Sequence, residues 1–281
     1  MSRSRSLVFA LCALLLAAVA PVNGQKSGAP PKLNFVRGPA NAPLGSVARL
    51  AVPAGCIFLD ANSARLFLET RGEPVTGREV GFLTGTNQHW SALFIFDENG
   101  YVKDDEQDKL DADKLLESIK QGAAQGNKER QRNGNPPVEV VGWELPPKYD
   151  SAAHSLGWAI RGRCQGRPVV NYNTRLLGRK GVMEVILVVA PESLPETLPV
   201  FRKVLAGCAY QPGQTYAEYR PGDRVAKYGL GALVVSGAAA GARSALASAT
   251  FVLGALVVGG AVAAAAFLKK PSSRRTRRPK K

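Results

Sequence analysis

The sequence predicts an α+β fold, with an antiparallel sheet flanked by helices and followed by a C-terminal transmembrane helix. Three observations predict it. β-type segments follow one another between residues 138 and 189 with no helical segment among them, an order typical of antiparallel sheets rather than of doubly wound parallel ones. Segments with helical periodicity come before and after this run. An uncharged stretch at residues 244–268 is long enough to cross a bilayer.

The individual elements follow from local periodicity. A helix is predicted at residues 108–125, because Leu115, Leu116 and Ile119 fall on one face. Shorter helices are predicted at residues 61–69 and 195–206. Residues 25–45 are rich in proline and glycine and are expected to form a mobile lead to one globular domain at residues 46–228. The predicted strands are residues 46–52, 56–59, 90–96, 138–143, 154–161, 168–176 and 181–189.

The N-terminus has the pattern of a secretory signal peptide at residues 1–24. Arg3 and Arg5 precede a short uncharged apolar run at residues 7–20, which corresponds to the charged and apolar regions of such a signal. Val22 and Gly24 are small enough for signal peptidase, so cleavage is expected before residue 25. The alternative is an uncleaved N-terminal anchor, although the apolar run is short for a membrane span.

The C-terminus has the pattern of a membrane anchor. The 25 uncharged residues 244–268 would extend roughly 37 Å as a helix, against about 30 Å of hydrocarbon. Eight Lys or Arg residues follow in the tail 269–281, and such a cluster belongs on the cytoplasmic side. We therefore expect a single-pass type I protein of the bacterial inner membrane, with its globular domain on the periplasmic side. A buried helix of a soluble protein is the competing interpretation.

An apolar segment at residues 229–243 precedes the predicted anchor. It is too short to span a bilayer alone, so we interpret it as a pre-anchor helix ending at Arg243. A two-helix hairpin is the alternative, and the sequence leaves open whether this segment enters the membrane. Gly237 and Gly241 form a GxxxG pattern, which allows close approach of two helices and predicts self-association.

The net charge of +15 is concentrated at the two ends. Without the eight cations of the tail and the two arginines of the signal, residues 25–268 carry only +5. A folded domain of such mild charge gives no support to nucleic-acid binding. The expected partners are the lipid bilayer and another membrane or envelope protein.

Three cysteines remain after signal removal, namely Cys56, Cys164 and Cys208. In an oxidising compartment one pair can form a disulfide in three ways, and a third thiol is then left over. The alternative is that all three are buried thiols. The sequence does not choose among these arrangements.

No cofactor and no metal site is expected. The only histidines are His89 and His154, and CxxC and HExxH motifs are absent from the sequence. The acidic run at residues 97–113 lacks EF-hand spacing and is interpreted as a solvated turn before a helix N-terminus. Nucleophile-elbow, Walker and dinucleotide motifs are also absent.

One group of polar and aromatic residues between positions 142 and 181 is a candidate ligand site. Aromatic rings beside Arg and Asn can line a pocket for a polar ligand. Asp150 precedes His154 by four residues, and a carboxylate beside an imidazole can orient it as a general base, so these two are weak catalytic candidates. The alternative is that the aromatic residues only pack the sheet. The ligand-binding candidates are Trp143, Tyr149, Trp158, Asn171, Tyr172, Arg175 and Arg179.

Several sequence blocks also resemble a known bacterial family. They are GYVKDDE at residues 100–106, GWELPPKYD at 142–150, HSLGWA at 154–159, VNYNTRLLGRKGV at 170–182 and GDRVAKYGLGALV at 222–234. The blocks are similar to those of the domain of unknown function family 2167, a family of predicted membrane-anchored proteins. The resemblance implies an extracytoplasmic domain before a C-terminal anchor and implies no catalytic residues. The order of elements is also similar to that of PsbP-like sandwiches.

These observations favour a membrane-anchored envelope protein that acts as a non-enzymatic binding or accessory module, because catalytic signatures are absent from the sequence. Two alternatives remain open. One is an envelope hydrolase that uses Asp150 and His154. The other is an accessory subunit of a membrane transport or secretion complex.

Overall fold

A large antiparallel sheet organises the protein. The computed structural model describes residues 33–70, 75–86, 90–132 and 136–235. Eight strands pair in the order β1–β4–β5–β6–β10–β9–β8–β7, and every pairing is antiparallel. These strands are β1 (Phe35–Arg37), β4 (Cys56–Asp60), β5 (Glu79–Gly85), β6 (Trp90–Asp97), β7 (Val138–Asp150), β8 (Ser155–Cys164), β9 (Arg167–Leu177) and β10 (Val182–Val189).

A smaller sheet and four helices cover the large one. The smaller sheet has the order β11–β3–β2 and consists of β2 (Ala40–Leu44), β3 (Ala48–Val52) and β11 (Cys208–Tyr210). It packs with helix α3 (Leu194–Ala206) on one face of the large sheet, around a core that includes Phe58, Phe94 and Phe201. The remaining helices are α1 (Ala61–Thr70), α2 (Ala112–Arg132) and α4 (Leu230–Val235).

The second face of the large sheet has two separate covers. Helix α1 packs with β4, β5 and β6 around Phe67, Phe82 and Leu93. Helices α2 and α4 pack at the other end of this face, in a core that includes Leu156, Trp158 and Ile160 of β8. Strand β10 lies in the middle, and all eight of its residues are buried. Covering on both faces explains why β10 is apolar at every position except Glu184 rather than alternating between apolar and polar residues.

The α+β class and the antiparallel sheet flanked by helices agree with the sequence prediction. Helices α1 and α3 and strand β6 each differ from their predicted bounds by one residue at most. Strand β7 runs to Asp150, beyond the predicted end at residue 143, through Pro146 and Pro147. Prolines are tolerated there because β7 is an edge strand of the sheet and needs no hydrogen bonds on its outer side.

Four strands, β1, β2, β5 and β11, were not predicted. Strands β1 and β2 lie within the segment expected to be a mobile lead, and Ala42 and Leu44 of β2 are buried in the core. Strand β5 was not predicted, because Gly81 and Gly85 make its sequence resemble a loop. At Gly81 the ring of Phe58 occupies the space that a side chain would need, so this glycine serves packing rather than a turn.

The predicted terminal segments lie largely outside the described residues. These are residues 1–24, the 244–268 stretch, and Gly237 and Gly241. In the described part of the chain, no helix is both long and apolar enough to cross a membrane. Helix α4 is the described part of the predicted pre-anchor helix.

The three described cysteines, Cys56, Cys164 and Cys208, are free thiols, and burial raises the pKa of the Cys208 thiol to about 12.

Candidate functional site

Strand β9 carries a row of buried polar side chains, which we call the β9 polar ladder: Asn171, Asn173 and Arg175. Residues two apart on a strand point to the same face, so these three share the face covered by α1, α2 and α4. Each is at most 2% exposed. Five of their six cross-strand neighbours are apolar: Ile160, Trp158 and Leu156 on β8, and Val188 and Ile186 on β10. The sixth is Glu184, opposite Arg175. The ladder is therefore a polar stripe in an apolar interior.

Arg175 forms a buried ion pair with its cross-strand partner Glu184. The distance between Arg175 Nη2 and Glu184 Oε2 is 3.2 Å, and both side chains are almost fully buried. Burial lowers the pKa of the Arg175 guanidinium, and the adjacent Glu184 carboxylate acts in the opposite direction. The guanidinium also lies over the ring of Trp158, 4.8 Å from its centroid, which is a cation–π geometry.

Several polar atoms of the ladder have no hydrogen-bond partner among the described residues. They are both side-chain amide atoms of Asn171, Oδ1 of Asn173 and Nε of Arg175, and Nε1 of Trp158 on the neighbouring strand β8 also has none. A buried donor or acceptor without a partner costs about 1–3 kcal/mol, so folded proteins rarely leave one in place. The five atoms lie on neighbouring residues of β8 and β9, so a polar molecule or ordered water in contact with them would remove that cost.

A second polar network lies at the end of β6. Arg78 Nη1 lies 2.9 Å from Asp97 Oδ1 in an ion pair. Asn99 donates one hydrogen bond to Asp97 and a second, 2.9 Å long, to the hydroxyl of Tyr228. Burial raises the pKa of Tyr228, and the Asp97 and Glu184 carboxylates act in the same direction. The charges of the Arg175–Glu184 pair and the hydroxyl of Tyr228 therefore influence each other electrostatically.

His154 belongs to a different cluster, at the turn between β7 and β8. Its backbone φ of 44° lies in the left-handed region that non-glycine residues rarely adopt. Its ring contacts Tyr216, which stacks on Tyr101, which in turn contacts Tyr219, with successive centroids 4.4, 4.4 and 4.3 Å apart. The four rings contact one another in a row. Aromatic packing therefore holds this cluster together.

The carboxylate beside His154 is that of Asp104. Oδ2 of Asp104 lies 3.9 Å from His154 Nδ1 and accepts a 2.8 Å hydrogen bond from the hydroxyl of Tyr149. Burial and the Asp104 carboxylate raise the pKa of Tyr149. Asp150 instead accepts hydrogen bonds from the backbone amides of Ala152 and Ala153, at 3.0 and 3.1 Å. Its carboxylate stabilises the turn.

The remaining candidates from the sequence lie away from the ladder. Trp143 donates a 3.1 Å hydrogen bond to a backbone carbonyl at the start of α2. Tyr172 points to the opposite face of the sheet and packs edge-on against Phe201. Arg179 forms a two-point ion pair with Asp223, at 2.7 and 2.8 Å. Of the seven ligand-binding candidates, the structure brings Trp158, Asn171 and Arg175 together.

Sequence reasoning missed two members of this site, Asn173 and Glu184. A signal for each was present. Asn171, Asn173 and Arg175 repeat with the two-residue period of a strand, and Glu184 is the only charged residue in the apolar run of β10. A lone charge in such a run predicts a buried partner. In the part of the chain that is described, which does not include His89, no group of His, Cys, Asp or Glu could hold a metal ion.

Comparison with solved structures finds similarity of low degree. The PsbP protein (CyanoP) from Synechocystis sp. PCC 6803 is 10% identical, with a TM-score of 0.37 over 68% of this chain and 100% of that chain. A protein of unknown function from Pseudomonas aeruginosa is 12% identical, with a TM-score of 0.24 over 61% and 92%. The immunity protein TplEi of the T6SS from Pseudomonas aeruginosa is 10% identical, with a TM-score of 0.26 over 63% and 76%.

At these scores the structural similarity carries no inference about activity. A search of the curated proteins finds no match to this chain. The family described as "Protein of unknown function (DUF2167)" matches residues 36–266, a range that includes the ladder, the His154 cluster and every strand except the first residue of β1. The protein belongs to the DUF2167 family.

Proposed function

We propose that the protein is a non-enzymatic binding module of the bacterial envelope, held at the inner membrane by residues 244–268 with its domain on the periplasmic side. One observation carries the binding role: the β9 polar ladder and the adjacent Trp158 hold five buried donor or acceptor atoms that no described residue satisfies. Such a group is costly unless a bound molecule or ordered water engages it. The proposed location in the membrane rests on the uncharged residues 244–268 and on the basic tail 269–281 that follows them.

The chemistry of the ladder favours binding over catalysis. Its members are two amides and a guanidinium, with the indole of Trp158 beside them, and none of these groups acts as a nucleophile or as a general base near neutral pH. The one carboxylate beside them, Glu184, is held by Arg175. A buried charge that is already paired is better suited to holding side chains or a ligand in place than to transferring protons.

A hydrolase built on Asp150 and His154 is the less favoured alternative. The carboxylate of Asp150 accepts two hydrogen bonds from turn amides, so orienting His154 would require breaking them. The catalytic arrangement would instead use Asp104, which is already hydrogen-bonded to Tyr149. His154→Ala tests this alternative, because a hydrolytic activity that depends on the imidazole would disappear in that variant.

The membrane location and the orientation of the domain are tested by fractionating cells that express the full-length chain. We expect the protein in the membrane pellet, resistant to extraction with alkaline carbonate, and its domain digested by protease added to spheroplasts. A protein that stays in the supernatant after ultracentrifugation, or a domain protected in spheroplasts, would overturn this part of the proposal. A variant with residues 244–281 removed serves as the control and is expected in the soluble fraction.

The partner is proposed to be another membrane or envelope protein. Affinity capture from detergent-solubilised membranes is expected to recover it with the wild-type chain and to recover less with Asn171→Leu. Recovery of a transport or secretion complex would make the protein an accessory subunit of that complex.

Self-association through Gly237 and Gly241 is a separate part of the proposal, tested by crosslinking with Gly241→Leu as the disrupting variant.

A further inference from the structure

We propose that one surface of the domain, close in sequence to the predicted anchor, lies against the bilayer and binds anionic lipid headgroups. We call this surface the juxtamembrane face, and its members are Tyr219, Arg220, Arg224, Val225 and Lys227. All five residues are exposed. The inference rests on the proposed membrane anchor, and it adds the surface through which the folded domain itself contacts lipid and the lipid chemistry that this surface selects.

The juxtamembrane face lies near the point where the chain leaves the domain. Val235 is the last described residue before the predicted anchor, and residues 236–243 between them reach at most roughly 29 Å when fully extended. The anchor therefore holds the domain within that distance of the lipid. Lys227 precedes Val235 by only eight residues, so the face belongs to the part of the domain from which the chain continues towards the bilayer.

Three cations give the face its positive charge. Within the described ranges, no carboxylate forms an ion pair with the side chain of Arg220, Arg224 or Lys227. These side chains are therefore free to contact an external anion. A cation close to an anionic bilayer surface strengthens binding about fivefold, so the three together are sufficient to favour the docked orientation of a domain that is already tethered.

The acids of the same region limit the range of this attraction. Asp223 is held by Arg179 at 2.7 and 2.8 Å, and Glu218 accepts three hydrogen bonds from its own turn. The exposed acids of the neighbouring segment, Asp105 and Glu106, reduce the net charge of the surroundings. Attraction therefore depends on close contact between the headgroups and the three cations rather than on a long-range field.

Tyr101 fixes the backbone and one ring of the face. Its amide donates a 2.8 Å hydrogen bond to the carbonyl of Arg224, and its carbonyl accepts one of 2.8 Å from Ala226. Its ring contacts that of Tyr219, with centroids 4.3 Å apart. Tyr219 and Val225, which are 37% and 36% exposed, are thus held in place before any contact, so that binding orders few side chains and costs little entropy.

The side chains of the face match the chemistry of a phospholipid headgroup layer. A tyrosine combines an apolar ring with a hydroxyl and is enriched at the level of the headgroups. A guanidinium binds phosphate oxygens through paired N–H groups, and Arg220 and Arg224 supply two of them. Val225 adds an apolar contact between the charges. An anionic phospholipid surface satisfies all of these groups together.

The test uses the full-length protein reconstituted in vesicles of phosphatidylcholine, with or without roughly one-third phosphatidylglycerol. A fluorescent label is attached to Ala217→Cys, an exposed position beside the face, and its quenching by brominated lipid measures contact with the bilayer. Labelling of the native thiols is subtracted with the unsubstituted chain. The ratio of docked to undocked domain is expected to be about tenfold higher with phosphatidylglycerol, and to fall in about 1 M salt, where charges are screened beyond about 3 Å.

Neutralising the face is expected to remove this dependence on lipid charge. One chain carries all three replacements, Arg220→Gln, Arg224→Gln and Lys227→Gln, and its docked ratio with phosphatidylglycerol is expected to fall about tenfold. The matched control removes the same charge from the small sheet and α3, which cover the opposite face of the large sheet, and it is expected to dock like the wild type. Its replacements are Arg49→Gln, Arg202→Gln and Lys203→Gln.

Three results would overturn the proposal: equal quenching with and without phosphatidylglycerol, an unchanged ratio in the neutralised face, or the same loss in the control. Flotation of the vesicles after an alkaline carbonate wash tests the anchor separately. If the chain floats but the label is not quenched, the anchor stands and the juxtamembrane face fails. If the chain is washed off but the label is quenched by phosphatidylglycerol vesicles at low salt, the face stands as a peripheral lipid site and the anchor fails.

Discussion

Breaking the buried ion pair between Arg175 and Glu184 is expected to destabilise the protein more than any surface charge change. The two charges are 3.2 Å apart and almost fully buried. At an effective dielectric constant of 20 their attraction is about 5 kcal/mol. Removing one partner leaves the other charge buried alone, and the measured cost of such changes is about 3–5 kcal/mol. Arg175→Met and Glu184→Leu are each expected to lower the free energy of unfolding by that amount.

The double variant is expected to recover most of the loss. Replacing a buried pair by apolar residues of similar volume is often neutral or stabilising. The double variant here also loses the stacking of the guanidinium on Trp158 and one hydrogen bond to the carbonyl of Thr174, so we expect it within about 2 kcal/mol of the wild type. The expected coupling energy is about 3 kcal/mol or more.

Urea unfolding of the full-length chain in a mild non-ionic detergent measures these values. Tryptophan fluorescence and far-UV circular dichroism are followed together to check two-state behaviour. The matched control is the exposed pair Arg161–Glu144, joined at 2.7 Å, where Glu144→Leu is expected to cost less than about 1 kcal/mol. Single-variant losses below about 1 kcal/mol at the buried pair, or a double variant as unstable as the two single variants combined, would refute this reasoning.

Two further predictions concern an edge strand and the ion pair between Arg179 and Asp223. Asn127 caps the edge of β7 with two 2.8 Å hydrogen bonds to the backbone of Val138, so Asn127→Ala is expected to lower the free energy of unfolding by about 1–2 kcal/mol. The exposed control Gln125→Ala should change it by less than about 0.5 kcal/mol, and equal losses in urea unfolding would count against the cap. Hydrogen bonds from Arg179 lower the pKa of Asp223 from 3.8 to about 2, so its stabilising contribution is complete above about pH 4 and is lost as the pH falls towards 2. Asp223→Asn should flatten the stability profile in that window, and an unaltered profile would exclude this role.

Local sequence determined the elements whose periodicity is strong. Helix α3 has its apolar residues at helical spacing, and β10 is apolar at every position except Glu184; both were predicted within one residue. Strands β1, β2, β5 and β11 were not predicted as such. β2 contains a proline, β5 contains two glycines, and β1 and β11 have only three residues each, and all four become strands because they pair with β3, β4 or β6. Such pairing is tertiary and leaves no local signal.

The sequence by itself determined the α+β class, the family resemblance and the polar character of the residues at positions 171 and 175. Only the tertiary structure decided which residues share the site. Trp158, Asn173 and Glu184 come together because β9 lies between β8 and β10 in one register, and a shift of one residue would turn each ladder residue to the opposite face. Register is set by the burial of two whole faces of the sheet, which no single segment encodes.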